Sequence, residues 1–106
     1  MHDESVMSRS LEKMIVALCA DFERRTEVIN KRNAPYNVIM EYRFLNYRIL
    51  CAACEIGGDK HAMGYIRDIG EGRGYAKSEL SVLSENLYKI RKREVTINIA
   101  RRLSLL

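Results

Sequence analysis

Glu94-Val95-Thr96-Ile97-Asn98-Ile99-Ala100 fits either a strand or a helix, and the two assignments lead to different folds. Val95, Ile97 and Ile99 alternate with Thr96 and Asn98, a period of two rich in β-branched side chains, as in a half-buried strand. A strand must pair its backbone N–H and C=O groups with a neighbour, and no other segment of the chain alternates comparably. The same residues also belong to a run without Gly or Pro from Ser84 to Leu106. As a helix, that run sets Tyr88, Val95, Ile99 and Leu103 on one side and Leu87, Ile90 and Ile97 on nearly the opposite one. The expected fold is therefore all-α. Its last helix carries apolar groups for the domain core and for something else, such as a second subunit.

Working back along the chain, all six glycines fall between Gly57 and Gly74, and the only proline is Pro35. Before Pro35, apolar residues recur at Met7, Leu11, Met14, Leu18, Phe22 and Ile29, the one-face signature of a long amphipathic helix over Ser5 to Lys31. Asn33-Ala34-Pro35 reads as a connection, because the residue before proline disfavours the helical region while proline suits a first turn. Val38, Tyr42, Leu45, Ile49, Ala52 and Ile56 then form a second stripe, closed by Gly57-Gly58. Two long helices with so short a link are expected to run as an antiparallel hairpin. Asp59 is placed to cap a third helix through Ile69, with Ala62, Met63, Ile66 and Ile69 inward. After Gly70-Glu71-Gly72-Arg73-Gly74, residues Tyr75 to Leu80 read as about two helical turns, Ser81 to Leu83 as a tight turn, and Ser84 as a new cap.

The 106 residues suffice for one domain with a modest core, divided into a hairpin over 1–58 and a helix-turn-helix portion over 59–106. A chain with 47% hydrophobic and 30% charged residues belongs with folded globular domains, and no apolar run is long enough to span a bilayer. The start Met-His-Asp-Glu-Ser lacks the basic opening of a signal peptide, so the expected location is the cytoplasm. Three cysteines without a secretion signal predict reduced thiols. The net charge of +4 is uneven: residues 1–30 carry 4 basic and 6 acidic groups, whereas residues 81–106 carry 6 and 2. A local basic excess points to nucleic acid or another anionic partner.

The arrangement that could use this charge is a short helix, a tight turn and a serine-capped basic helix, Ser84-Glu85-Asn86-Leu87-Tyr88-Lys89-Ile90-Arg91-Lys92-Arg93. In a helix-turn-helix the first turns of the second helix enter the major groove while the preceding helix braces on the backbone. Ser84, Glu85, Asn86 and Lys89 are then at the groove. Arg91, Lys92 and Arg93 are placed to neutralise phosphate, and Lys77, Tyr75 and Tyr88 to contact it. Leu83 to Arg93, ending in Asn98-Ile99-Ala100-Arg101-Arg102-Leu103, resembles the C-terminal helix-turn-helix of small phage-associated transcriptional regulators of the autolysin regulatory type, themselves similar to region four of bacterial sigma factors. The likeness covers about the last 30 residues. It implies that Ser84 through Lys92 form the recognition helix. It departs from the family in a short, glycine-flanked preceding helix and in Leu87, where the family more often has a small polar residue.

Other constellations point elsewhere. Cys51-Ala52-Ala53-Cys54 has metal-ligand spacing, but it lies inside a helix beside the apolar stripe, whereas paired metal-binding cysteines sit on turns. Two small core thiols are expected and no metal. Gly70 to Gly74 lacks the lysine and hydroxyl residue of a phosphate loop. His2 and His61 are the only histidines, and no serine or cysteine has a nameable base and orienting partner, so neither catalysis nor a cofactor is expected. The expected function is transcriptional regulation through double-stranded DNA, as a homodimer in contact with the transcription machinery and without a membrane. The alternative is a non-enzymatic helical interaction module that dimerises through its hairpin and docks an acidic protein on its basic helix.

Overall fold

A computed structural model of the chain describes residues 7–106. Among them the only regular elements are helices: α1 (Arg9–Ala20), α2 (Phe22–Lys31), α3 (Tyr36–Gly57), α4 (Ala62–Glu71) and α5 (Glu85–Arg102), with two 3-10 turns at Tyr75–Lys77 and Glu79–Val82. Val95 to Ile99 lies in the middle of α5, so the helical reading of that segment holds. The inward side wins because Val95 and Ile99 are fully buried there, while Thr96 satisfies its hydroxyl on the Lys92 carbonyl at 3.0 Å.

The first amphipathic run is not one helix. It begins at Arg9 under a Ser8 cap and breaks at Asp21, whose backbone leaves helical geometry at φ −94, ψ 0. The expected start at Ser5 lies outside the described residues. Arg25 occupies the break: its guanidinium, 2% exposed, donates to the Leu18 carbonyl at 2.6 Å and to Asn46 Oδ1 at 2.6 Å. Asn46 in turn donates to the Phe22 carbonyl and to Thr26, each at 3.1 Å. The break has a consequence for packing. Only α2 pairs with α3 as an antiparallel hairpin, whereas α1 turns aside onto α4 and α5.

Between α2 and α3, Arg32 takes a left-handed conformation (φ 52) and closes the helix on the Val28 carbonyl. Helix α3 is the central strut, packed on α2, α4 and α5. Its inward face is rotated from the expected stripe: Ile49 and Ala52 are fully buried, but Val38, Tyr42, Leu45 and Ile56 are only half-buried. Ile39, Asn46, Ala53 and Gly57 complete the buried side, because Asn46 turns in to Arg25 and α4 and α5 cover the other end. Helix α4 starts at Ala62, and no Asp59 side chain caps it; His61 holds the capping position without a side-chain bond. Gly70 lets α4 lie against α1: a Cβ there would stand 2.6 Å from the Ala20 backbone nitrogen. The core fills the space between these helices with Ile15, Cys19, Ile66, Tyr65, Tyr88 and Ile99 at its centre.

Candidate nucleic-acid interface

The segment before α5 is not the expected helix. Residues 75–80 form one 3-10 turn, break at Ser78 and begin a second. Ser78 explains the break, because its hydroxyl oxygen accepts from the Leu80 N–H at 2.9 Å, replacing the backbone bond that would continue a helix. Its own hydrogen goes to Asp68 Oδ2. Asp68 lies fully buried on α4 and collects a second hydroxyl there, from Tyr88 of α5, at 2.8 Å. Tyr75 closes the turn from outside, its hydroxyl reaching the carbonyls of Ser81 and Leu83 at 2.8 and 2.5 Å. Burial, and then the hydrogen bond to Asp68, push the Tyr88 phenol up to about 12, so it is a fixed neutral donor. One buried carboxylate thus ties α4, the 3-10 turns and α5 together.

This network reassigns two of the sequence-predicted contacts. Tyr88 is 1% exposed and stacks on Tyr65 at 6.0 Å between ring centres, so it supports α5 from behind and does not face a ligand. Tyr75 packs against Tyr88 at 5.5 Å and spends its hydroxyl inside the turn, so it is no phosphate donor. Ser84 caps α5 as expected, accepting from the Leu87 N–H at 3.2 Å. Glu85 and Lys89 form an exposed i,i+4 pair at 3.0 Å. Lys92 is half-buried beside the Tyr88 ring and donates to the Arg73 carbonyl at 2.5 Å, and Arg91 is half-buried as well. Asn86, Lys89 and Arg93 are exposed on the outer face of α5, and Lys77 is exposed on the first 3-10 turn. A cleft of about 280 Å³ runs beside them, with Lys89, Lys92 and Arg93 contributed by α5 and Glu12 by α1.

The outer face of α5 is not purely polar. Ile90 is 52% exposed and Leu87 37%, and Val82 on the second 3-10 turn is 80% exposed. The arginines near the other end are tied into the fold: Arg102 pairs with Glu55 of α3, and Arg48 donates to the Arg102 carbonyl at 3.1 Å. Asn98 joins them, donating to Glu55 at 2.7 Å and to the Ala52 carbonyl at 3.0 Å. Arg102 and Asn98 hold the Glu55 carboxyl below its ordinary range.

Cys51 and Cys54 are free thiols, half-buried where full burial was expected. Burial, followed by a hydrogen bond with Asp59, raises Cys54, the opposite of what a nucleophilic thiol requires. Among the described residues, no group of three His, Cys, Asp or Glu side chains is placed to hold a metal ion, and no helix is long and apolar enough to cross a membrane. No protein-family model matches the chain, and no curated protein or solved structure matches it either.

A second surface escaped the sequence reading. Tyr36, Met40, Phe44 and Tyr47 are 77, 41, 60 and 65% exposed along the outer face of α3. Their spacing of four, four and three is as regular as that of the inward stripe. The signal was present, but it was masked by the stronger inward one.

Proposed function

We propose that the protein is a DNA-binding transcriptional regulator of the phage-associated kind, acting in the cytoplasm as a homodimer and presenting α5 to the major groove. The observation that carries this reading is the outward placement of Asn86, Lys89 and Arg93 on a serine-capped helix braced from behind by Tyr88 and Asp68. Spacings of three and four residues put the three side chains on one surface, where an amide can read a base edge and cations can meet phosphate. Helix α4, the two 3-10 turns and α5 take the place of a helix-turn-helix with an irregular brace. Lys89 must leave Glu85 to reach a phosphate. An exposed pair of this type holds by only about 0.3–0.5 kcal/mol, so that exchange is easy.

Selection of binding sites from a random duplex pool tests the proposal. The expected result is recovery of a defined site, with affinity falling steeply as salt rises. Lys89→Ala and Arg93→Ala should each weaken binding and flatten the salt dependence. Absence of duplex binding at low salt overturns the reading. It would favour the second one, a helical interaction module, which rests on Leu87, Ile90 and Val82 exposed among the basic residues. Such a surface suits an acidic protein partner with an apolar centre.

A further inference from the structure

We propose that the outer face of α3 is the seam of a homodimer in which two copies pair about a two-fold axis parallel to their α3 helices. The inference concerns a different surface from the α5 face and stands whether or not the protein binds DNA. Tyr36, Met40, Phe44 and Tyr47 form one apolar stripe on the side of α3 turned away from α2, α4 and α5. Such a stripe of large side chains is uncommon on a monomer unless something covers it.

The charges beside the stripe identify a second copy as the cover. At roughly 3.6 residues per turn, Glu41 and Arg43 fall on opposite flanks of the stripe. Neither has an ion-pair or hydrogen-bond partner among the described residues. A two-fold axis along the helices sets each flank against the other flank of the partner, so Glu41 of one copy meets Arg43 of the next, twice. An antiparallel seam would instead set like flank against like flank, Arg43 facing Arg43. The surface is therefore complementary to itself in one orientation, as an isologous interface requires. Along that seam Phe44, Met40 and Tyr47 each meet their own copies. Arg48 already lies over one face of the Phe44 ring, 4.4 Å from its centre.

The orientation has a geometric consequence. Contacts of Arg48 with Arg102 and of Glu55 with Asn98 show that α5 runs antiparallel to α3. Parallel α3 helices consequently place both capped starts of α5 at the same end of the dimer.

Sedimentation of the full chain across micromolar concentrations tests the seam. A reversible monomer–dimer equilibrium is expected, with Phe44→Asp abolishing the dimer while circular dichroism and melting stay those of the native fold. Glu41→Arg and Arg43→Glu should each weaken association by about ten-fold, a change of about 1.4 kcal/mol. The double exchange Glu41→Arg with Arg43→Glu should restore it. A monomer at every concentration overturns the proposal, as does a dimer that Phe44→Asp leaves intact. Failure of the double exchange to restore a dimer weakened by the single ones overturns the parallel axis.

Discussion

Tyr88 of α5 donates its hydroxyl hydrogen to Asp68 of α4 at 2.8 Å, both side chains being almost completely buried. The carboxylate also receives Ser78, so it joins two helices and the turn between them. Removing it orphans the Ser78 hydroxyl and leaves Tyr88 only a long bond to the Arg73 carbonyl at 3.4 Å, a cost of about 1–3 kcal/mol for an unsatisfied hydroxyl. Asp68→Ala should therefore lower the urea midpoint far more than Asp68→Asn, which keeps an acceptor oxygen for both. Equal losses in the two variants would show that the hydroxyls find other partners and that Asp68 is not the tie.

The same bond sets a pH dependence on the alkaline side. Tyr88 is raised from 10 to about 12 in the fold, so its contribution is complete below pH 10, where the phenol is neutral in both states. As pH rises above 10 the unfolded chain ionises first. The contribution, worth about 2–3 kcal/mol at most, is gone once pH passes about 12. Cys19, raised by burial from 9 to about 12, begins the same loss one unit earlier. Tyr88→Phe should be less stable at neutral pH yet lose less stability between pH 10 and 12 than the unaltered chain. Parallel curves in denaturant melts across that range would contradict the assignment.

Much of this arrangement was legible in the sequence, and the misread segments on either side of the core share a cause. Helices α3 and α5 were readable because stripes such as Val38, Tyr42, Leu45 and Ile49 repeat on one face. The Ser84 cap was readable because a capping serine acts on its own next residues. The break at Asp21 was not, since it depends on Asn46, which reaches Arg25 from a different helix. Residues 75–80 were misread for a similar reason: Ser78 leaves the helical path to serve Asp68, ten residues away. Tyr88 was placed on the inward stripe and also among the ligand contacts, and only its burial decides between them. Most local signals survived, the expected Asp59 cap of α4 excepted, and the assignments that depend on a distant polar partner did not.

Gly70 and Gly74 provide a paired test of packing. Alanine at an open helical position gains helix propensity, but a Cβ on Gly70 would stand 2.6 Å from the Ala20 nitrogen and 2.8 Å from its Cα, which are backbone atoms that cannot swing aside. Overpacking of this kind costs about 1–3 kcal/mol, more than the roughly 1 kcal/mol that alanine gains over glycine in a helix. Gly70→Ala should therefore destabilise. Gly74 has φ −94 and nothing within 4 Å of its would-be Cβ, so Gly74→Ala should be neutral or stabilise by about 0.4–1 kcal/mol. Thermal melts showing Gly70→Ala as stable as Gly74→Ala would mean that α1 and α4 separate freely, contrary to their close approach.

Arg25 gives the sharpest test of why α1 and α2 are two helices. Its guanidinium is 2% exposed and is bonded to Asn46 Oδ1, to the Leu18 carbonyl and, at 3.5 Å, to Asp21. Asp21 adds little net attraction, because it is also bound to Arg24 in solvent; that bond holds the Asp21 carboxyl below its ordinary range. The energy resides in the neutral acceptors, and hydrogen bonds to a charged donor are worth about 1.5–3 kcal/mol each. Arg25→Ala leaves the Asn46 and Leu18 oxygens buried without this donor, while Asp21→Ala removes only a half-buried carboxylate that solvent reaches. The loss of stability from Arg25→Ala should exceed that from Asp21→Ala several-fold. Asn46→Leu with Arg25→Met, which replaces the polar pair by apolar groups of similar size, should recover part of the loss. Hydrogen exchange at residues 18–26 distinguishes the outcomes. Protection there should fall in Arg25→Ala, and unchanged protection would place the cause of the break elsewhere.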